Sequence, residues 1–308
     1  MGLVIDWTAI DTTDWPVEQP ETRGVREKFW ILDHDGKQWL RKRPKPRGSD
    51  ARPHEAAIEF FALALAREVG IVSARARLST WRDGGGDASS HRGIIVANFL
   101  TGTETLALSA QILKTDDASY DEADRSLHTV ERSIQALRQR ESAHVDALVR
   151  PFAQLLVFDA WIGNGDRHQD NWALILGSAR EMRFSVMYDP AACLGVELED
   201  SHILLREPLD ENRLERHTKK CLSGFGDGSQ GKRMLRQEAV LRSLRRAWPW
   251  TEYVNAWIAQ FERALNDWVP DALRDAPESW LPANRRILAS SLLRYRLDWL
   301  KKQVLENP

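Results

Sequence analysis

Short apolar runs of strand length occupy the first hundred positions, and longer stretches with a helical period occupy most of the remainder. Lys28–Leu32 and Gln38–Lys42 read as strands, and the intervening Asp33-His34-Asp35-Gly36 carries the Asp-Gly signature of a tight hairpin. From Glu55 to Val69 the apolar positions Ile58, Phe61, Ala62, Leu65 and Val69 follow a helix, with Gly70 where a C-terminal cap belongs. Val72–Leu78 and Gly93–Phe99 predict two further strands around a loop that begins Asp83-Gly84-Gly85-Gly86. Residues 1–23, rich in Thr, Asp and Pro, predict an irregular arm.

The pattern changes near residue 101. The polar, acidic stretch Lys114–Ser126 predicts a surface loop, and Leu127–Leu137 and His144–Gly163 predict helices. Trp172–Leu176 and Arg183–Tyr188 predict a hairpin. Residues 210–308 read as mainly helical, broken near Gly224–Gly231 and at Pro249, Pro270, Pro277 and Pro282. The sum is an α+β chain: a small antiparallel-sheet lobe with one helix over residues 1–103, then a mainly helical lobe over 104–308, without internal repeats.

Composition narrows the function classes. With 43% hydrophobic and 29% charged residues the chain reads as a soluble globular protein, and its net charge of −2 provides no drive toward nucleic acid or anionic membrane. Six of the 13 tryptophans (Trp248, Trp250, Trp257, Trp268, Trp280 and Trp299) lie near the end of the chain, where they are expected to pack helices. The two cysteines, Cys193 and Cys221, are too few for a disulfide framework and lack metal-site spacing. No apolar run approaches the roughly 18 residues that span a bilayer. A signal peptide is not evident, and Asp6 stands where an N-myristoylation site wants Ser or Thr. A cytoplasmic location is expected. Neither His-Glu-x-x-His spacing for a hydrolytic zinc nor a Gly-x-Ser-x-Gly nucleophile elbow occurs.

The most informative stretch is Asp159-Ala-Trp-Ile-Gly-Asn-Gly-Asp166-Arg167-His168-Gln-Asp-Asn171, with a further aspartate in Tyr188-Asp189-Pro190. Asn171 follows Asp166 by five residues and Asp189 follows it by 23. ATP-dependent phosphoryl transfer uses such a set: one carboxylate orients the acceptor hydroxyl, while an amide oxygen and a second carboxylate hold Mg²⁺ on the phosphates. An isolated Asp-x₄-Asn is more often a polar turn. Here an apolar helix precedes it, and predicted strands follow Asn171 and lead into Asp189, which favours a site.

The segment resembles the Asp-Arg-His-x-x-Asn motif of phosphatidylinositol 3/4-kinases and HipA-like serine/threonine kinases. The lead-in from Phe158 and the Tyr-Asp-Pro turn fit the HipA-like group better. The resemblance spans about residues 24–200 and is specific over 158–200. It implies a protein-kinase-like two-lobed fold and a phosphotransferase that uses ATP and Mg²⁺. Asp166 would be the catalytic aspartate, and Asn171 and Asp189 would be the metal ligands. Arg167 would stabilise Asp166 or a phosphate, and His168 would support the loop.

The phosphate-binding lysine would be Lys42, at the end of the second strand. Its helical partner would be Glu59 by the family's count back from Gly70, whereas the apolar face favours Glu55, so both stay open. No Gly-x-Gly-x-x-Gly precedes Lys42. Thr22-Arg23-Gly24-Val25-Arg26 occupies the place of the family's shorter phosphate loop, with Gly24 and Arg26 as candidate contacts and Lys28 as added charge. Thr22 is the one hydroxyl there, in place of the regulatory serine of family toxins.

Some members of the family are toxins that phosphorylate aminoacyl-tRNA synthetases and pair with a DNA-binding antitoxin. The resemblance therefore implies a protein substrate, and leaves a synthetase substrate and an antitoxin-type inhibitor open. Two other readings compete: a phosphoinositide or small-molecule kinase on the same fold, and a non-catalytic nucleotide-binding interaction module. The joint presence of Lys42, Asp166, Asn171 and Asp189 weighs against the last.

Overall fold

The computed structural model describes residues 2–21, 27–44, 53–83, 90–141, 146–178, 181–200, 210–229 and 234–304. Its first part is a six-stranded sheet made of β1 (Ile10–Asp11), β2 (Val17–Pro20), β3 (Lys28–Leu32), β4 (Gln38–Lys42), β5 (Ala76–Arg82) and β6 (Ser90–Ala97), in the order β1-β5-β6-β4-β3-β2. The β3–β4 hairpin forms at the predicted Asp-Gly turn, where Asp33 N donates to Lys37 O at 2.9 Å. Side-chain alternation along β4 is what sets the site. Trp39 and Arg41 pair with Ala97 and Ile95 on the outer face, where Trp15, Ile31 and Ile95 form a small cluster. Leu40 and Lys42 take the opposite face with Val96 and Ile94, which belong to the main core.

Two expectations need correction here. Residues 2–21 are not wholly irregular, because they supply both edge strands, and β1 pairs with β5 in parallel. Strands of two and four residues are too short to show a period of their own; tertiary pairing creates them. The first strand after the helix begins at Ala76, not Val72. The preceding residues bridge instead to a distant segment, with Met187 N donating to Val72 O at 2.8 Å and Ala74 N to Met187 O at 2.9 Å.

Helix α1 (Pro53–Glu68) packs across the inner face of the sheet. The helical spacing marked one face as apolar, yet Phe60, Leu63, Ala64 and Ala66 are buried as well, because the second lobe covers the other side. That lobe starts with β7 (Thr105–Leu108), α2 (Ser109–Asp116), a short 3₁₀ turn Arg125–Leu127, α3 (Val130–Arg138) and α4 (Val149–Ile162). Helix α2 takes the beginning of the stretch expected to be loop. Strands β8 (Ala173–Leu176) and β9 (Met182–Phe184) form the predicted hairpin, shorter than expected, and β7 adds a third strand. Helix Glu211–Lys220 is followed by β10 (Leu222–Gly226) and β11 (Met234–Arg236), which pair antiparallel around the predicted break.

Helices Gln237–Ala247, Thr251–Arg263, Val269–Arg274 and Ala283–Val304 close the fold, with a π-helical turn at Ala264–Trp268. Trp248, Trp250, Trp257, Trp268 and Trp280 are buried, as packing residues should be, and Trp161 of α4 stacks on Phe261 at 4.5 Å. One hydrophobic core runs from α1 through α4 into these helices. The architecture is α+β and two-lobed. No helix among the described residues is long and apolar enough to cross a membrane.

Behind the Asp166 segment lies a buried support layer centred on His128. Its ring stacks on Phe225 at 4.2 Å. Trp172 Nε1 meets His128 Nε2 at 3.0 Å. An indole N–H only donates, so Nε2 must accept, and Nδ1 carries the proton toward Gly224 O at 3.1 Å. Burial pushes the His128 pKa down to about 3, against the pull of the Gly224 carbonyl and with added repulsion from His168 and Arg125. Strand β10 lies so close to the loop in front that a Cβ on Gly224 would stand 2.0 Å from the carbonyl carbon of Arg167 and 2.2 Å from His168 N.

Two outcomes follow from this layer. The unfolded chain protonates His128 below its ordinary value of 6.5, whereas the folded protein resists down to about 3, so this contribution is complete above 6.5 and lost as pH falls. Near pH 5 the loss is about 2 kcal/mol. Urea titrations of His128→Gln should show a shallower decline between neutral and acid pH than the unsubstituted protein, and an equally steep decline would contradict the assignment. Gly224→Ala should destabilise by on the order of 2 kcal/mol through overpacking, measured as a lower urea midpoint.

Candidate active site

Helix α4 is apolar almost throughout, with one carboxylate, Asp159, only 2% exposed. Its charge is met by Arg167, also buried: Nε lies 2.7 Å from Asp159 Oδ2 and Nη2 lies 2.9 Å from Oδ1. Asn164 Nδ2 adds a bond to the same carboxylate at 2.9 Å. The remaining nitrogen, Arg167 Nη1, donates to the carbonyls of Asn171 at 2.7 Å and Tyr188 at 2.9 Å. Burial works against the guanidinium charge, and the Asp159 carboxylate outweighs it, leaving the Arg167 pKa raised. Arg167 therefore does not face Asp166 or a phosphate position, which corrects the role expected from sequence. A guanidinium enclosed on all sides cannot reach a ligand. It joins the segments that carry Asn171 and Asp189.

Helix α4 ends at Gly163, whose φ of 67° turns the chain out of the helix. Asp166 follows with its side chain half exposed, 3.6 Å from Arg125 Nη1 and 3.9 Å from His168 Nε2. Asn171 Nδ2 donates to the Asp166 carbonyl at 2.5 Å, which directs the amide oxygen the other way. His168 Nδ1 accepts from Asp170 N at 3.1 Å. Burial depresses the His168 pKa, and the carboxylate of Asp166 opposes that shift. The loop is also held from α2: Ser109 Oγ donates to Gln169 O at 2.7 Å, and Ser109 N to Trp172 O at 3.1 Å.

Lys42 reaches this loop system from the sheet. Its Nζ lies 2.7 Å from Glu59 Oε1 and 3.1 Å from Asp189 Oδ1, and both Lys42 and Glu59 are buried. Glu59, one turn beyond Glu55 along α1, is the glutamate that meets Lys42. Burial would lower the lysine pKa, but Asp189 and Glu59 overcome it and hold the ammonium charged above its usual range. Lys28, paired in register with Lys42, lies 3.4 Å from Asp189 Oδ2. Asp189 itself has a φ of 52°, a left-handed conformation unusual for any residue but glycine. Such strain persists where neighbours over-determine it. Here Tyr188 O is held by Arg167, and Tyr188 Oη donates to Asp170 O at 2.9 Å.

The structure thus brings Lys42, Glu59 and Asp189 into contact and ties Asp166 to Asn171. Gly24, Arg26 and Thr22 lie outside the described residues. Asp159 was missed as a site residue, although a single acid inside the apolar run Phe152–Ile162 is the signal of a buried partner. Asn171 and Asp189 supply an amide oxygen and a carboxylate, hard donors that suit Mg²⁺. Among the described residues no cluster of three or more His, Cys, Asp or Glu side chains forms a self-sufficient metal site. A cation here would therefore complete its shell with phosphate or water oxygens, as Mg²⁺ does in nucleotide sites.

Comparisons with known proteins bear on the fold and the family. The Helicobacter pylori proinflammatory kinase CtkA superposes with a TM-score of 0.72 at 15% identity, covering 98% of this chain and 100% of that one. The toxin HipA of Shewanella oneidensis MR-1, solved with HipB and operator DNA, superposes with a TM-score of 0.56 at 13% identity, covering 92% of this chain and 64% of that one. At such identities the likeness carries the fold, which is kinase-like. Comparison with curated protein sequences finds no match. The family model of the HipA-like C-terminal domain matches residues 21–248. Family and fold together support a phosphotransferase, and the matched span covers most of the chain, which therefore belongs to the HipA-like C-terminal domain family.

Proposed function

We propose that this protein transfers the γ-phosphoryl group of ATP to a serine or threonine hydroxyl of another protein, with Mg²⁺ as the metal. The observation that carries the proposal is the position of Lys42 Nζ between Glu59 on α1 and Asp189 beyond β9. A buried lysine held by a helical glutamate, next to a carboxylate suited to a metal, is the arrangement that neutralises nucleotide phosphates. Asn171 and Asp189 would hold Mg²⁺, which would supply charge neutralisation on the phosphates. Asp166 orients the acceptor hydroxyl and takes up its proton. Its half-exposed carboxylate leaves room for a macromolecular acceptor. Arg167 acts through Asn171 and Asp189, and His168 acts through the loop. Gly24 and Arg26 are assigned to the phosphate-covering segment, and the lobe boundary to residues 103/104.

An antitoxin-type inhibitor is the partner class we infer, on the strength of the Shewanella toxin's assembly with HipB. Copurification from cells that coexpress the neighbouring genes tests it directly.

Asp166→Ala should reduce label transfer from γ-labelled ATP by at least about 100-fold, the usual contribution of general acid–base catalysis, while the protein stays folded. Undiminished transfer would remove Asp166 from the mechanism. Comparing phosphoproteomes of cells expressing the two forms then identifies the acceptor class. Asp189→Ala should abolish the Mg²⁺-dependent part of the thermal shift produced by ATP. Absence of any shift in the unsubstituted protein would sink the kinase reading.

A further inference from the structure

Glu59 meets Lys42 only if α1 stays against the sheet, and the two aromatic residues that follow it show what holds the helix there. Phe60 receives the ring of Trp7 edge-on at 5.3 Å, and Phe61 stacks against Trp268 at 5.6 Å with an interplanar angle of 23°. Trp7 lies in the segment 2–12 of the first lobe, and Trp268 ends the π-helical turn of the second. Their indoles cross: Trp268 Nε1 donates to Leu3 O, and Trp7 Nε1 donates to Ala272 O at 3.0 Å. The segment is also fastened to the first lobe. Leu3 N donates to Glu68 Oε2 at the end of α1 at 2.8 Å, and Arg77 of β5 pairs with Asp6 at 2.8 Å and donates to Thr8 O at 3.2 Å.

We propose that residues 2–12 form a strap across the two lobes that clamps α1 in the position where Glu59 pairs with Lys42, making Trp7 and Trp268 positioning residues for nucleotide binding. The proposal rests on the kinase reading for its consequence, though the clamp itself does not. Each tryptophan combines an apolar ring on α1 with one N–H spent on the opposite lobe, so the contact holds the helix laterally and ties the lobes at once. Plain core packing at these rings would contribute stability alone. A clamp contributes affinity as well, because a nucleotide binds only the fraction of molecules whose Glu59–Lys42 pair is formed.

Calorimetric titration with Mg²⁺-ATP of the unsubstituted protein, Trp7→Ala, Glu59→Gln and the double variant separates these cases, alongside hydrogen exchange without nucleotide. Trp7→Ala should weaken binding about tenfold and add nothing further in the Glu59→Gln background, since both act through one pair. Exchange of α1 amides from Glu59 to Leu65 should accelerate while amides of α4 keep their rates. Undiminished affinity, additive effects in the cycle, or equal acceleration in α1 and α4 would overturn the proposal. If the unsubstituted protein binds no Mg²⁺-ATP, the kinase reading fails, and the exchange pattern alone decides whether the strap holds α1.

Discussion

The ion pair of Asp159 and Arg167 is the constraint on which the loop system depends. Removing two opposite charges from water costs several kcal/mol for each ion, and their attraction recovers that cost only when the remaining polar atoms are satisfied. Here the guanidinium is satisfied by parts that belong to three different segments: the carboxylate on α4, the carbonyl of Asn171 and the carbonyl of Tyr188. Rearranging any one of them would leave a buried charge short of a partner. The pair thus converts an unfavourable burial into a rigid joint, and Asp166, Asn171 and Asp189 are mounted around it. The left-handed backbone of Asp189 is stable for the same reason, since its neighbour Tyr188 has no freedom to relax.

A second joint connects the lobes. Among the described residues, Lys28 and Lys42 face the carboxylates of Glu59 and Asp189. Asp189 is shared between both joints: its backbone neighbour is held by Arg167 and its carboxylate by the lysines. Burial is uneven across the site. Lys42, Glu59 and Arg167 are enclosed, whereas the Asp166 carboxylate is half exposed.

Legibility in the sequence followed the length and regularity of each element. The β3–β4 hairpin, α1 and α4 were readable because an Asp-Gly turn and sustained helical periods are local signals. Strands β1, β2, β7, β10 and β11 were not expected, and their strand geometry comes from the partners they meet in the sheets. At the site, Asp166, Asn171 and Asp189 stood out by type and spacing, and Lys42 by its place at a strand end together with the family resemblance. Arg167 was noticed but misplaced, because sequence shows a charge beside Asp166 without showing which way it points. Asp159 was quoted without a role, although its isolation among apolar neighbours was visible.

The amino-acid order alone determined that an acidic and amide set of kinase type follows an apolar helix, and that a lysine ends a strand in an earlier lobe. Those are properties of neighbours along the chain. Which glutamate meets that lysine depended on how α1 lies across the sheet. The partner of Arg167 depended on a carboxylate eight residues away being enclosed in the same core. Residues 2–12 become a strap through contacts with Trp268 and Ala272, far away in the chain. Only the folded chain decides such matters, because burial and long-range contact assign each side chain its partner, and neither is a local quantity.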